Sequence, residues 1–111
     1  GAESISWQAR LECCGAPLFG SNDALSVELT QKKLTSATQS GAQFICDACP
    51  YCHLQFDTVQ GMITHTTGNN NLLPAILYPQ LLGLSMGIDG KTLGLAENKI
   101  DITSIEGFLS E

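Results

Sequence analysis

The chain has 111 residues with 5 basic and 11 acidic side chains, a formal charge of −6 at pH 7. That length suits one domain that buries its own core, and an acidic balance without a Lys/Arg cluster excludes a nucleic-acid or anionic-membrane binder, because nothing on the chain replaces phosphate counterions. No apolar run reaches the ~18 residues of a transmembrane helix. Charged residues make up only 14% of the chain against a usual ~25%, so part of the surface is expected to be covered by further protein.

In chain order, residues 7–12 alternate apolar and polar and predict a short strand running into Cys13. Gly15, Pro17 and Gly20 punctuate a loop, and Ser21-Asn22-Asp23 offers N-cap chemistry. Leu25, Leu29, Leu34 and Ala37 form the apolar stripe of a helix over roughly residues 23–39, with Gly41 as its stop. Ala42 to Asp47 predicts a second strand. Pro50 suits the first turn of a helix carrying Leu54, Phe56, Val59, Met62 and Ile63, broken by Gly68 to Asn71. Leu73 to Tyr78 predicts a third strand, Pro79 opens a helix ending near Gly87, and Asp89-Gly90 marks a turn. One helical turn over 93–97 and a weak helix over 103–109 complete the reading. The order βαβαβα implies an α/β fold, residues 1–111 forming a single domain whose small, mostly parallel sheet is flanked by helices on both faces.

The five cysteines fall into a pair, Cys13-Cys14, and a set, Cys46, Cys49 and Cys52. An odd count argues against a closed disulfide framework, and adjacent cysteines bridge each other poorly because their Cα atoms lie only ~3.8 Å apart. Thiols grouped around turns suit soft-metal ligation. Ligands in α/β sheets collect where strands hand over to helices. Cys13-Cys14 closes the first predicted strand and Cys49 and Cys52 come just after the second, so parallel pairing would bring four thiols towards one point. Cys52 would then sit in a first helical turn, where backbone N–H groups favour a thiolate. Cys46 reads as a buried apolar residue at a strand end, with membership of a Cys46-x-x-Cys49-x-x-Cys52 metal run as the other reading.

Cys49-Pro50-Tyr51-Cys52-His53 matches three patterns. As C-x-x-C-H it matches c-type haem attachment, which leaves Cys13-Cys14 unexplained. As Cys-Pro-Tyr-Cys between a strand and a helix it resembles a glutaredoxin redox site, with Cys49 and Cys52 exchanging disulfides. The third pattern uses both cysteine groups. Cys13-Cys14-Gly15, a gap running to Ala48, then Cys49-Pro50-Tyr51-Cys52 resembles the CCG repeat of the family of heterodisulfide reductase B subunits. Pro74 to Gly87 and Leu93-Gly94-Leu95 are similar to the segment after the last Cys-x-x-Cys in that family, so the resemblance spans most of residues 7–100.

The resemblance implies an iron–sulfur electron-transfer or catalytic module, an oxidoreductase subunit that reduces a disulfide or relays electrons in a larger complex. It implies a non-cubane [4Fe–4S] cluster held by Cys13, Cys14, Cys49 and Cys52, with Gly15 turning tightly beside it and Pro50 shaping the pocket. Zinc on the same four thiolates is the alternative, as a structural binding module. The implied partners are iron–sulfur or flavin subunits, in the cytoplasm or peripheral to a membrane complex. With that following segment the chain resembles the C-terminal of the family's two repeats; the family's lone upstream cysteine has no counterpart before Cys13, and a fragment inactive without the N-terminal half is expected. His53 and His65 read as solvated or hydrogen-bonded, Trp7 and Phe19 as core or pocket wall, Met62 and Met86 as packing, and Glu106 and Glu111 as a solvated face.

Overall fold

A computed structural model describes residues 2–67, 72–102 and 105. Helix α1 spans Asp23–Gln39. It starts as its sequence dictates, with the Asn22 side chain accepting the Leu25 N–H at 3.2 Å. It ends at Gly41, whose φ of +87° lets the Ala42 and Gly41 N–H groups return to the carbonyls of Ala37 and Thr38. Strand β1 is Ile45–Asp47 and strand β2 is Ala75–Leu77. They pair in parallel, Ile45 with Ala75, Cys46 with Ile76 and Asp47 with Leu77.

Between them runs a helical rod in three parts: α2, Pro50–Leu54; a π-helical turn, Gln55–Val59; and α3, Gln60–Thr67. Helix α4, Tyr78–Ser85, comes directly after β2, and 3₁₀ turns lie at Ala16–Leu18 and Leu95–Glu97. The crossover from β1 through the rod to β2 is what parallel strands require. Successive residues of β2 feed two cores. Ala75 packs with Cys14, Ala37, Ile45, Phe56 and Leu73, and Ile76 packs with Leu84, Leu95, Ile102 and Ile105. The fold is therefore α/β, with a small parallel sheet covered on both faces.

Three expectations are revised. Residues 7–12 form a turn and not a strand. A strand needs a ladder partner, and here Lys33 Nζ donates to the carbonyls of Arg10 and Glu12 while the Ala9 N–H donates to Ser36 Oγ. The segment thus packs across α1, with Lys33 lying over the rings of Trp7 and Phe56. Secondly, the first half of α1 buries Ser26 and Thr30 while Leu25 is exposed, whereas in the second half Ala37 is buried and Leu34 packs against the core, as expected. Thirdly, Cys46 is exposed, on the strand face opposite the buried Ile45 and Asp47. The expected break at 68–71 and the helix over 103–109 lie outside the described residues, Ile105 excepted, as do Glu106, Glu111 and the side chain of His65.

The rod is buried at its middle while Tyr51, Leu54 and Met62 stay exposed, and polar side chains fix it on three sides. Gln55 reaches α1. Asp57 accepts the N–H groups of Lys99 and Ile100 at 2.7 and 2.8 Å. Gln60 exchanges two hydrogen bonds of 2.8 Å with the backbone of Leu73, holding the approach to β2. Its π-helical turn, a widening often found at functional sites, buries Gln55, Phe56 and Asp57 consecutively.

Candidate metal centre

Two backbone turns present the cysteines. The first is Cys13-Cys14-Gly15, where Gly15 has φ +96° and a Cβ at that position would stand 2.4 Å from the Ser26 carbonyl oxygen. Only glycine supplies both the left-handed backbone and the room. The Cys13 and Cys14 sulfurs accept the N–H groups of Gly15 and Ala16 at 3.3 and 3.5 Å. Cys13 is exposed and Cys14 is buried.

The second turn joins β1 to α2. Cys49 is the residue capping the helix, with extended backbone, and Pro50 opens the first turn. Cys49 is exposed, and hydrogen bonds from the backbone N–H groups of Cys52 and then Tyr51 hold its thiol below the ordinary range. Cys52 behaves in the opposite sense: burial, then the hydrogen bond and charge of Cys14, push its thiol up to about 12. The sequence predicted the thiolate-favouring position at Cys52, but the N–H groups of this short helix point back at Cys49.

The two turns meet. Cys52 Sγ lies 3.1 Å from Cys14 Sγ, and Cys49 caps the helix whose first turn carries Cys52. Of the four thiols expected to converge, Cys14 and Cys52 come into contact, and they do so through a 3₁₀ turn seated on α1 and not through a first strand. Among the described residues no three or more His, Cys, Asp or Glu side chains are gathered in chelating geometry. Cys13 makes its sulfur contact with the Gly15 N–H, and Cys46 faces away on β1.

His53 is not solvated. Its Nδ1 lies 3.3 Å from Asp47 Oδ1, both side chains are largely buried, and none of Asp47 Oδ1, Asp47 Oδ2 and His53 Nδ1 has a well-formed hydrogen bond. Burial and then Asp57 push the Asp47 carboxyl up to about 7, while burial pushes the imidazole down.

Sequence reasoning missed the polar layer beneath the cysteines. The Ser26 hydroxyl donates to the Gly15 carbonyl and the Thr30 hydroxyl to the Cys14 carbonyl, both at 2.7 Å. Gln55 Nε2 donates to the two hydroxyl oxygens at 3.1 and 2.8 Å. The available signal was the i, i+4 spacing of Ser26 and Thr30 beside the leucine stripe.

Residues 1–57, which carry both cysteine groups, match the family described as "CCG: Cysteine-rich domain". The chain belongs to the CCG cysteine-rich domain family. It is 36% identical over 102 residues, 90% of its own length, to the B subunit of the ferredoxin/F(420)H(2)-dependent CoB-CoM heterodisulfide reductase of Methanosarcina acetivorans, covering 34% of that protein. It is likewise 36% identical to the B subunit of the ferredoxin:CoB-CoM heterodisulfide reductase of Methanosarcina mazei, over 90% of this chain and 34% of that one. Identity to the 8-methylmenaquinol:fumarate reductase membrane anchor subunit of Wolinella succinogenes is 30%, over 95% of this chain and 37% of that protein. The chain therefore spans about a third of the length of these relatives. Among the described residues no helix is long and apolar enough to cross a membrane.

Proposed function

We propose that this chain is the cysteine-rich part of a B subunit like those of the heterodisulfide reductases, an oxidoreductase module holding an iron–sulfur cluster of the non-cubane [4Fe–4S] kind on Cys13, Cys14, Cys49 and Cys52. The observation that carries the reading is the 3.1 Å contact between the sulfurs of Cys14 and Cys52, which come from turns 38 residues apart. The donor set fits such a group in kind. All four are thiols, and the sulfurs of Cys13 and Cys14 already accept backbone N–H groups, the interaction that stabilises metal-bound thiolate and tunes its potential, while the Cys52 and Tyr51 N–H groups lower the Cys49 thiol. A bound cluster supplies one-electron steps.

The chain's own residues supply the rest. Cys49, exposed at the rim, is where a partner or a disulfide substrate would approach. The buried Cys14 and the half-buried Cys52 form the inner side of the site. Electrons would be exchanged with iron–sulfur or flavin subunits, in the cytoplasm or at the periphery of a membrane complex, and activity would require the remaining part of the subunit. Anaerobic addition of iron and sulfide tests this: broad visible absorption that is lost in both Cys13→Ser and Cys49→Ser supports it, and no such absorption overturns it.

A second reading has one observation in its favour. The exposed thiol of Cys49 is held low while its neighbour Cys52 is pushed up, the asymmetry of an attacking and a resolving cysteine. In a thiol–disulfide exchange the Cys49 thiolate would attack a substrate disulfide and expel one thiolate. Cys52 would then displace the second and close a Cys49–Cys52 disulfide. Glutathione-dependent activity abolished by Cys49→Ser and untouched by Cys13→Ser would favour this reading. Stoichiometric zinc without sulfide would favour the structural alternative.

A further inference from the structure

Beneath the site lies a hydrogen-bonded layer whose directions are set by chemistry. The carbonyl oxygens of Cys14 and Gly15 can only accept, so the hydroxyls of Thr30 and Ser26 must turn their single hydrogens towards them. Each hydroxyl then offers its lone pairs to the third partner, and only a donor can use them. Gln55 meets this need with the two hydrogens of one amide group, one to each hydroxyl. The Thr30 hydroxyl has a second acceptor in the Ser26 carbonyl at 3.0 Å, the longer of its two contacts. All three side chains are sealed from water: Ser26 and Thr30 are 0% exposed and Gln55 is 2% exposed.

Gln55 lies on the π-helical turn, one helical turn beyond Cys52 on the same rod. The amide therefore ties the backbone of the Cys13-Cys14-Gly15 turn to the element that carries the other cysteine pair. We infer that Gln55 is a positioning residue for the metal centre: acting through the hydroxyls of Ser26 and Thr30, it locks the Cys14 turn against the Cys52 helix and so sets the spacing of their sulfurs. Its role at a cluster rests on the proposed function, but the locking itself is a property of the metal-free chain and is tested there.

Polarity is the discriminating variable. Gln55→Glu preserves shape but presents only acceptors when ionised and a single donor when protonated, so at least one hydroxyl hydrogen is drawn away from the Cys14 or Gly15 carbonyl and that buried acceptor is left unpaired. The probe is diamide oxidation of the metal-free chain bearing Cys13→Ser, Cys46→Ser and Cys49→Ser, so that Cys14 and Cys52 alone can join. Diamide takes up the two electrons and two protons released as the S–S bond forms. The expected result is cross-linking slower by at least about tenfold in Gln55→Glu, the factor that loss of even one of the two hydrogen bonds carries. Thr30→Val should slow it and Thr30→Ser restore it. Gln60→Met, which loosens the same rod at Leu73, should lower thermal stability and leave the rate unchanged.

A Gln55→Glu rate equal to that of the parent overturns the inference, as does equal slowing in Gln60→Met, which would mark a general loss of stability. Should Gln55→Glu fail to fold, Thr30→Val against Thr30→Ser decides in the same way. Failure of the wild-type chain to take up iron would overturn the functional reading and leave the cross-linking result standing.

Discussion

The sulfur of Cys52 touches that of Cys14 at 3.1 Å, although 38 residues separate them in sequence. This contact also separates the two functional readings. Mild oxidation of the metal-free wild-type chain is expected to join Cys52 mainly to Cys14, whereas an exchange site of the Cys-x-x-Cys kind would join Cys52 to Cys49. Peptide mapping by mass spectrometry of the oxidised chain distinguishes them.

Gly15→Ala should be among the most damaging substitutions at a glycine. It forces an alanine into φ +96° and sets its Cβ 2.4 Å from the Ser26 carbonyl oxygen. Strain and overpacking together should cost about 3 kcal/mol. Gly20→Ala, at φ +94° but with nothing within 4 Å, bears the backbone strain alone and should cost about 1 kcal/mol. Denaturant unfolding of the two variants measures the difference.

Asp57 holds the 99–100 segment through two backbone N–H groups from a buried position. Asp57→Asn turns one acceptor into a donor and leaves one N–H facing it, so it should cost about 2 kcal/mol. Hydrogen exchange should show the amides of Lys99 and Ile100 losing protection, with that of Leu73, held separately by Gln60, kept.

Much of the fold was legible wherever the signal was local. The ends of α1 followed from Asn22 and Gly41, the stop at Gly87 from its positive φ, and the turn at Asp89-Gly90 from the Asp89 side chain, which accepts the Thr92 N–H. Residues 7–12 were misread because alternation reports two faces and not a ladder partner, and Lys33 takes the carbonyls a neighbouring strand would have taken. The Ser26 and Thr30 half of α1's inward face was hidden, because hydroxyls read as surface until the carbonyls of Cys14 and Gly15 are seen above them, whereas Leu34 and Ala37 were legible. Asp57 and Gln60 were invisible for the same reason: a polar residue inside a core is recognised only by its distant partner. The pairing of the cysteine groups was legible from spacing and resemblance, but the contrast between Cys49 and Cys52 depends on where the helix begins.

Acid should weaken the turn after α4. The Asp89 carboxylate accepts the N–H and hydroxyl of Thr92, both at 2.8 Å, and these bonds hold its carboxyl below the usual range. A carboxyl depressed in the folded state stabilises it above the unfolded-state value, and that contribution is lost as pH falls through the folded-state value. An NMR titration should place the Asp89 midpoint below 3.8 and show the Thr92 amide shifting with it. A midpoint at or above that value would contradict the capping role.

The most direct test is the content of iron, acid-labile sulfide and zinc in the chain after anaerobic reconstitution, measured in the wild type, Cys14→Ser and Cys52→Ser. A shared centre predicts iron and sulfide in equal amounts in the wild type and a fall of both in each variant. Iron without sulfide, zinc in their place, or one variant keeping its full complement would contradict it.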